Sequence, residues 1–157
     1  MPDAWRIDTA KRAAQSFTGA GAALAGGRWN PAGIRVVYVS QHLSTACLEK
    51  FIHLPKPVPA SLRFVQFAID FNGVAIERPK RSALPAGWRE QPPSESTQAF
   101  GLEWYRSART AVLAVPSAII PEEENYVLNP THPEFSRLKI ARPRPFEYDV
   151  RLAALKR

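Results

Sequence analysis

Apolar and polar positions alternate with period two in Leu62-Arg63-Phe64-Val65-Gln66-Phe67-Ala68-Ile69-Asp70, which predicts a strand ended by the Asn72-Gly73 turn signal. A β-branched and aromatic stretch, Arg35 to Ser40, predicts a second strand, and the wholly apolar Ala111–Val115 predicts a third, central in a sheet. Trp5-Arg6-Ile7 is a short strand candidate, and Ile119-Ile120 marks the start of another. Lys139 to Val150 alternates as an edge strand, the place where Pro143 and Pro145 are tolerated. Helical spacing predicts a helix over Thr45–His53, capped by Ser44, with Leu48, Phe51 and Ile52 as its core-facing stripe and Glu49 at the edge of that face. Pro55, Pro57 and Pro59 end it. A longer helix runs from about Ser94 to Arg109, carrying Phe100, Leu102, Trp104 and Tyr105. Between these elements lie a Pro-rich basic loop from Glu77 to Pro93 pinned by Leu84 and Trp88, an acidic turn at Glu122–Asn125, a rigid turn at Asn129–Pro133 and one helical turn from Glu134 to Leu138. Strands and helices mix without a βαβ rhythm, so the expected class is α+β, one domain over 1–157 with a mixed β-sheet core and flanking helices.

Composition narrows the setting. An apolar content of 45% suits a folded core, and no apolar run approaches the ~20 residues of a membrane span. Met1-Pro2-Asp3-Ala4-Trp5-Arg6 has no charged-then-apolar leader pattern, and a single cysteine, Cys47, forms no internal disulfide; both fit an expected cytoplasmic location. The net charge is +7, but the cations are dispersed, with modest clusters at Arg78–Arg81 and Arg137–Arg144 and no interleaved aromatic motif. That pattern predicts attraction to polyanions and acidic partners rather than direct reading of nucleic acid.

Candidate chemistry concentrates in Gly26-Gly27-Arg28-Trp29-Asn30-Pro31-Ala32-Gly33, a composition that builds a shaped loop presenting an arginine. A guanidinium held there suits a carboxylate or a phosphate; a tight turn with a solvated arginine is the plainer reading. The preceding Gly19-Ala20-Gly21-Ala22-Ala23-Leu24 is a flexible lead-in rather than a dinucleotide fingerprint, because no strand precedes it and Leu24 stands where the third glycine belongs. His42, His53 and His132 have no metal-ligand spacing with Cys47 or the carboxylates, so no metal is expected. Cys47 falls mid-helix rather than at a helix N-terminus, and Ser117 lacks a G-x-S-x-G elbow. What is left is Arg28, Tyr38, Glu49 and Ser117, residue types that suit a ligand with phosphates, an aromatic ring and a sugar, although each taken alone also has a structural reading.

Several pieces occur together in order: Trp5-Arg6-Ile7, Gly27-Arg28-Trp29-Asn30, Val37-Tyr38-Val39-Ser40, Leu48-Glu49, Gly87-Trp88, Thr97-Gln98, Val115-Pro116-Ser117 and Asn125 to Pro133. In this the chain resembles the RES-domain proteins. The resemblance implies the toxin of a type II toxin–antitoxin pair with a fold like that of diphtheria-toxin-like ADP-ribosyltransferases. It implies NAD⁺ as a substrate rather than a cofactor, cleaved at the nicotinamide–ribose bond by hydrolysis, phosphorolysis or ADP-ribosyl transfer. Arg28, Glu49 and Ser117 would be the catalytic set, with Arg28 on the diphosphate, Tyr38 stacked on nicotinamide, Trp29 assisting, and Ser117 bonded to the ribose or carboxamide. The implied protein partner is an Xre-like antitoxin, with room for a homo-oligomer inside that complex and no role for a membrane. The alternative is a non-catalytic basic interaction protein. A ribonuclease-type toxin using Glu49 and His132 stands last.

Overall fold

The computed structural model describes residues 1–157, and its elements follow the apolar pattern closely in the middle of the chain. Phe64–Asp70 (β3) is the strand expected there, and its buried Phe64, Phe67 and Ile69 face the core. Ala4–Thr9 (β1) is twice the length of the Trp5–Ile7 candidate, because it pairs antiparallel with β3 over six residues, Ala4↔Ile69 through Thr9↔Phe64. Val37–Ser40 (β2) pairs antiparallel with Glu124–Leu128 (β6), which in turn pairs with Val112–Pro116 (β5). Two-residue Ile76–Glu77 (β4) runs parallel to β5 at the far edge. Lys139–Ile140 (β7) and Arg144–Phe146 (β8) both pair with β3 on the opposite edge. The sheet order is thus β4-β5-β6-β2-β1-β3-β7, mixed, with β8 also on β3.

That sheet is nearly two sheets. β1 and β2 share one paired position, Trp5↔Ser40, and then diverge. The helix Leu43–Ile52 (α2) lies across the divergence, with Leu43, Ala46, Cys47 and Phe51 packed among Ile7, Leu54 and Phe64. The longer helix Glu95–Ser107 (α3) covers the other half. Its buried Trp104 joins Trp29, Leu113, Val115 and Val127 in a second apolar cluster. Gly101 on α3 makes that packing achievable, since a Cβ there would sit 1.7 Å from the carbonyl oxygen of Trp29. The Ser94 hydroxyl caps α3 by accepting from the N–H of Thr97.

The structure corrects several expectations. α2 begins at Leu43 with His42 as its N-cap and no side-chain cap, so Ser44 is exposed inside the first turn. Its core stripe is shifted in phase: Thr45 and Ala46 are buried, whereas Ile52 is 51% exposed, because the cleft opens beneath the helix's C-terminal half. The Gly19–Leu24 lead-in contains a short helix, Ala20–Ala25 (α1). β5 is buried from Val112 to Val115 but lies next to the β4 edge, and the centre of the order is β2. Ile119 and Ile120 form no strand, since both backbone N–H groups donate to the Ser117 hydroxyl at 3.1 Å. The acidic turn is shorter than expected: β6 starts at Glu124, and Tyr126–Leu128 form a buried strand too brief to show a period. The C-terminal edge is broken between Ile140 and Arg144, and a last helix, Val150–Ala154 (α4), follows it.

Candidate functional site

Where β1 and β2 part, a cleft of about 500 Å³ opens, floored by the sheet and roofed by α1, α2 and the Gln91–Pro93 segment. Glu49 enters it from α2. Its Oε1 accepts the Ser117 hydroxyl at 2.8 Å and the Asn125 side-chain amide at 2.7 Å. Oε2 receives no hydrogen bond from the protein. Asn125 is itself oriented: its Oδ1 accepts from the Ser40 hydroxyl at 2.8 Å across the Ser40↔Asn125 register of β2 and β6. Neutral donors from the end of β5 and from β6, the latter braced by β2, therefore fix one carboxylate.

Ser117 is placed differently from its expected role. It is fully buried behind Glu49, and Pro116, Ala118 and Ile119 form the neighbouring cleft wall instead. Its contact with any ligand passes through the carboxylate. Trp29 is largely withdrawn into the core, 2% exposed and meeting Phe100 edge-on at 5.9 Å. Trp29 borders the cleft, and α3 packs closely on it at Gly101, so that little of the indole is accessible.

Tyr38 does line the cleft. Its hydroxyl is engaged behind, donating to Asn30 Oδ1 at 2.6 Å and accepting the Trp29 N–H at 3.0 Å, and burial pushes its pKa well above the usual phenol value. The phenol stays neutral and the ring is clamped. Asn30, fully buried, organises the loop beneath by donating to the carbonyls of Ala22, Pro31 and Ile34. Arg28 reaches the cleft beside Glu49, its guanidinium donating to the carbonyls of Trp88 (3.0 Å) and Glu90 (2.7 Å) and to Gln91 Oε1 (2.9 Å). Burial lowers its pKa and the Glu49 charge opposes that shift. All three partners are neutral, so the cation is positioned without being neutralised, and two of its five N–H donors are unused.

The β1 wall carries a group that sequence reasoning missed. Arg6 fills the gap where β1–β2 pairing stops, donating to the Tyr38 carbonyl (2.8 Å), the Ser16 hydroxyl (2.8 Å) and Asp8 Oδ2 (3.4 Å). Asp8 is buried and also accepts from Ser16 Oγ, Thr9 N–H and Lys50 Nζ. Burial pushes the Asp8 carboxyl up, but Arg6, Lys50 and these hydrogen bonds outweigh it and hold the group below the usual carboxylate range. In sequence, Asp8 carried no signal, lying just past the Trp5–Ile7 strand candidate, whereas Arg6, Ser40 and Asn125 sit within the ordered motif pieces, which was their one signal.

The remaining candidates lie elsewhere. His132 sits under the end of α3, its Nε2 on the Ala108 carbonyl and its Nδ1 accepting from Glu134 N–H, so it does not face Glu49. Burial pushes the Cys47 thiol up, away from thiolate character. No three His, Cys, Asp or Glu side chains converge as a metal site. No helix is long and apolar enough to cross a membrane.

Residues 3–149 match the RES domain family. The chain belongs to it. Among curated relatives, this RES-domain chain is 38% identical over 152 residues to the "Prs ADP-ribosylating toxin" of Sphingobium sp. (strain YBL2), covering 94% of each protein. It is 33% identical over 150 residues to a "Toxin Res" of Yersinia enterocolitica, covering 94% of this chain and 97% of that one. A second "Toxin Res", of Photorhabdus laumondii, is 32% identical over 154 residues, with 98% of both covered. In fold, the RES-domain chain is similar to a chain of the crystal structure of the M.tuberculosis MbcT-MbcA toxin-antitoxin complex, with a TM-score of 0.74 at 18% identity, covering 99% of this chain and 87% of that one.

Proposed function

We propose that this protein is the toxin of a toxin–antitoxin pair and that it consumes NAD⁺ by cleaving the nicotinamide–ribose bond. The observation that carries the reading is the Glu49 carboxylate, oriented on one oxygen by Ser117 and Asn125 and open on the other, in a cleft shared with Tyr38 and Arg28. Heterolysis of that bond leaves its electron pair on the nicotinamide nitrogen, neutralising the pyridinium, while positive charge develops on the ribose ring. A carboxylate fixed beforehand stabilises that charge without reorganising, and Oε2 is free to accept from a ribose hydroxyl. The Tyr38 ring offers a π-face to the cationic pyridinium. Arg28, held by neutral acceptors, supplies unspent charge for the diphosphate. The nucleophile that completes the reaction is water, phosphate or a protein side chain; the first bond broken is the same in each. The names of the relatives, which include an ADP-ribosylating toxin, and the toxin–antitoxin complex among the structural neighbours support this reading and an antitoxin partner.

The test is release of free nicotinamide from NAD⁺ by the purified protein, followed chromatographically, with products compared in the presence and absence of phosphate. Glu49→Gln keeps the shape and one acceptor oxygen for Ser117 and Asn125 but replaces the other oxygen with an amide donor and removes the charge, and it is expected to lower the rate by about 10²-fold or more. Full activity in that variant overturns the mechanism. Absence of turnover by the wild type, with salt-sensitive binding to RNA, supports the basic interaction protein instead.

A further inference from the structure

Asp8 is short of charge for the company it keeps. Arg6, Lys50 and Arg12 all line the same end of the cleft, and Asp8 is the one carboxylate among them. Its acceptor sites are filled by the Thr9 N–H and Lys50 on Oδ1 and by Ser16 and Arg6 on Oδ2, so it has no capacity left for a further cation. Lys50 holds it only at 3.5 Å and has no other protein partner, leaving ammonium donors free. Arg6 uses three of its five donors, which leaves one N–H on each terminal nitrogen. Arg12 makes no hydrogen bond or ion pair at all, yet its guanidinium is laid against Gly21 of α1, where an added Cβ would come within 2.5 Å of Nη2. Its charge is close enough to Arg6 to disfavour the Arg6 cation, on top of the larger effect of burial. Two guanidiniums and an ammonium thus crowd one end of a cleft with donors to spare, and the repulsion between them is relieved by an anion seated there.

We propose that Arg6, Lys50 and Arg12 form an oxyanion-binding subsite on the β1 wall, separate from Arg28, that takes a phosphoryl group. Lys50 follows Glu49 directly on α2, yet Glu49 turns to β5 and β6 while Lys50 turns to β1. The subsite therefore flanks the carboxylate on the side away from Ser117. This rests on the NAD⁺ reading only for the identity of the larger ligand. The phosphoryl group belongs either to the dinucleotide, whose diphosphate would then extend toward β1, or to a free oxyanion bound beside it.

Isothermal titration of the full chain with ADP-ribose, and separately with inorganic phosphate, tests this in the wild type, in Arg12→Gln and in the Arg12→Gln/Lys50→Gln double variant. Arg12 is exposed, so the single variant keeps the fold even if the double one does not. Loss of ADP-ribose affinity by about tenfold or more, in step with the charges removed, supports the subsite and assigns it to the dinucleotide. Saturable phosphate binding that the variants abolish, with ADP-ribose affinity intact, supports it and assigns it to a free oxyanion. Unchanged affinity for both ligands, or no binding of either by the wild type, overturns it. Nicotinamide release measured on the same wild-type sample keeps the two proposals apart. Release with variant-insensitive binding sinks the subsite alone, and variant-sensitive phosphate binding without release sinks the substrate reading alone.

Discussion

The two walls of the cleft hold their charged groups by opposite means. On the β5–β6 wall, Glu49 is gripped by neutral donors, Ser117 and Asn125, and makes no ion pair. On the β1 wall, Asp8 is gripped by Arg6 and Lys50, and its charge is consumed within the protein. Both carboxylates are well fixed. Neutral hydrogen bonds orient a charge without cancelling it, whereas ion pairs orient a charge by cancelling it. The same contrast separates the two arginines, because Arg28 rests on carbonyls and an amide while Arg6 rests partly on a carboxylate. A wall that must meet a developing charge needs the first arrangement. A wall that must hold open a split in a sheet is served by the second.

Placing a charge on the neutral wall is the most damaging way to break this contrast. Asn125→Asp puts a second carboxylate against Glu49 in place of an amide donor, so the pair retains a proton and NAD⁺ turnover falls by about a hundredfold, most severely at low pH. Nicotinamide release across a pH series measures it, and a flat, wild-type profile removes Asn125 from the mechanism. The charged wall is broken by Asp8→Asn. Arg6 and Lys50 lose their counter-charge, and stability falls by about 2 kcal/mol at neutral pH, read by chemical denaturation. The folded carboxyl lies below its unfolded value of about 3.9, so its contribution is complete above about pH 5 and is lost as pH falls through the folded value. The gap between wild type and variant should accordingly close as the pH is taken below about 4. A gap independent of pH would show that shape rather than charge holds the wall.

Ser117→Ala removes one of the two donors to Glu49 Oε1 and is expected to cost about tenfold in kcat with KM little changed, because Ser117 reaches the ligand only through the carboxylate. An equal loss carried in KM would mean direct substrate contact. The smallest effect is expected from Tyr38→Phe, which keeps the ring and deletes the hydroxyl that bridges Trp29 and Asn30. Stability drops by about 1 kcal/mol while kcat is retained, separating the stacking face from its clamp.

Much of the scaffold was legible along the chain. β3 announced itself by period two, β5 by five consecutive apolar residues, and α3 by the apolar residues it carries from Phe100 to Tyr105, since each is long enough for its own pattern to dominate. α2 was legible as a helix but not in phase. Leu48 and Ile52 satisfy a hydrophobic stripe as well as Leu43, Ala46, Cys47 and Phe51 do, and only the position of the cleft separates them. β6 was too short to show a period. At the site, Arg28, Tyr38 and Glu49 line one cleft and Ser117 stands directly behind Glu49. Trp29 borders the same cleft but is 2% exposed, and a large aromatic in a glycine-rich loop carries no mark of how far it turns to the core.

By itself the sequence determined the strand and helix types of the central elements, the α+β class, and the ordered residues that place the chain in the RES-domain family. These depend on local period and residue identity, which a linear string retains. Only the tertiary structure decided which carboxylate keeps its charge. Asp8 and Glu49 are both acidic residues between one apolar and one polar neighbour, Ile7 and Thr9 or Leu48 and Lys50, and nothing in that local sequence says which will be ion-paired. The difference arises because β1 and β2 part after a single pair, so that one wall brings arginine and lysine to its carboxylate while the other brings a serine from the end of β5 and an asparagine from β6.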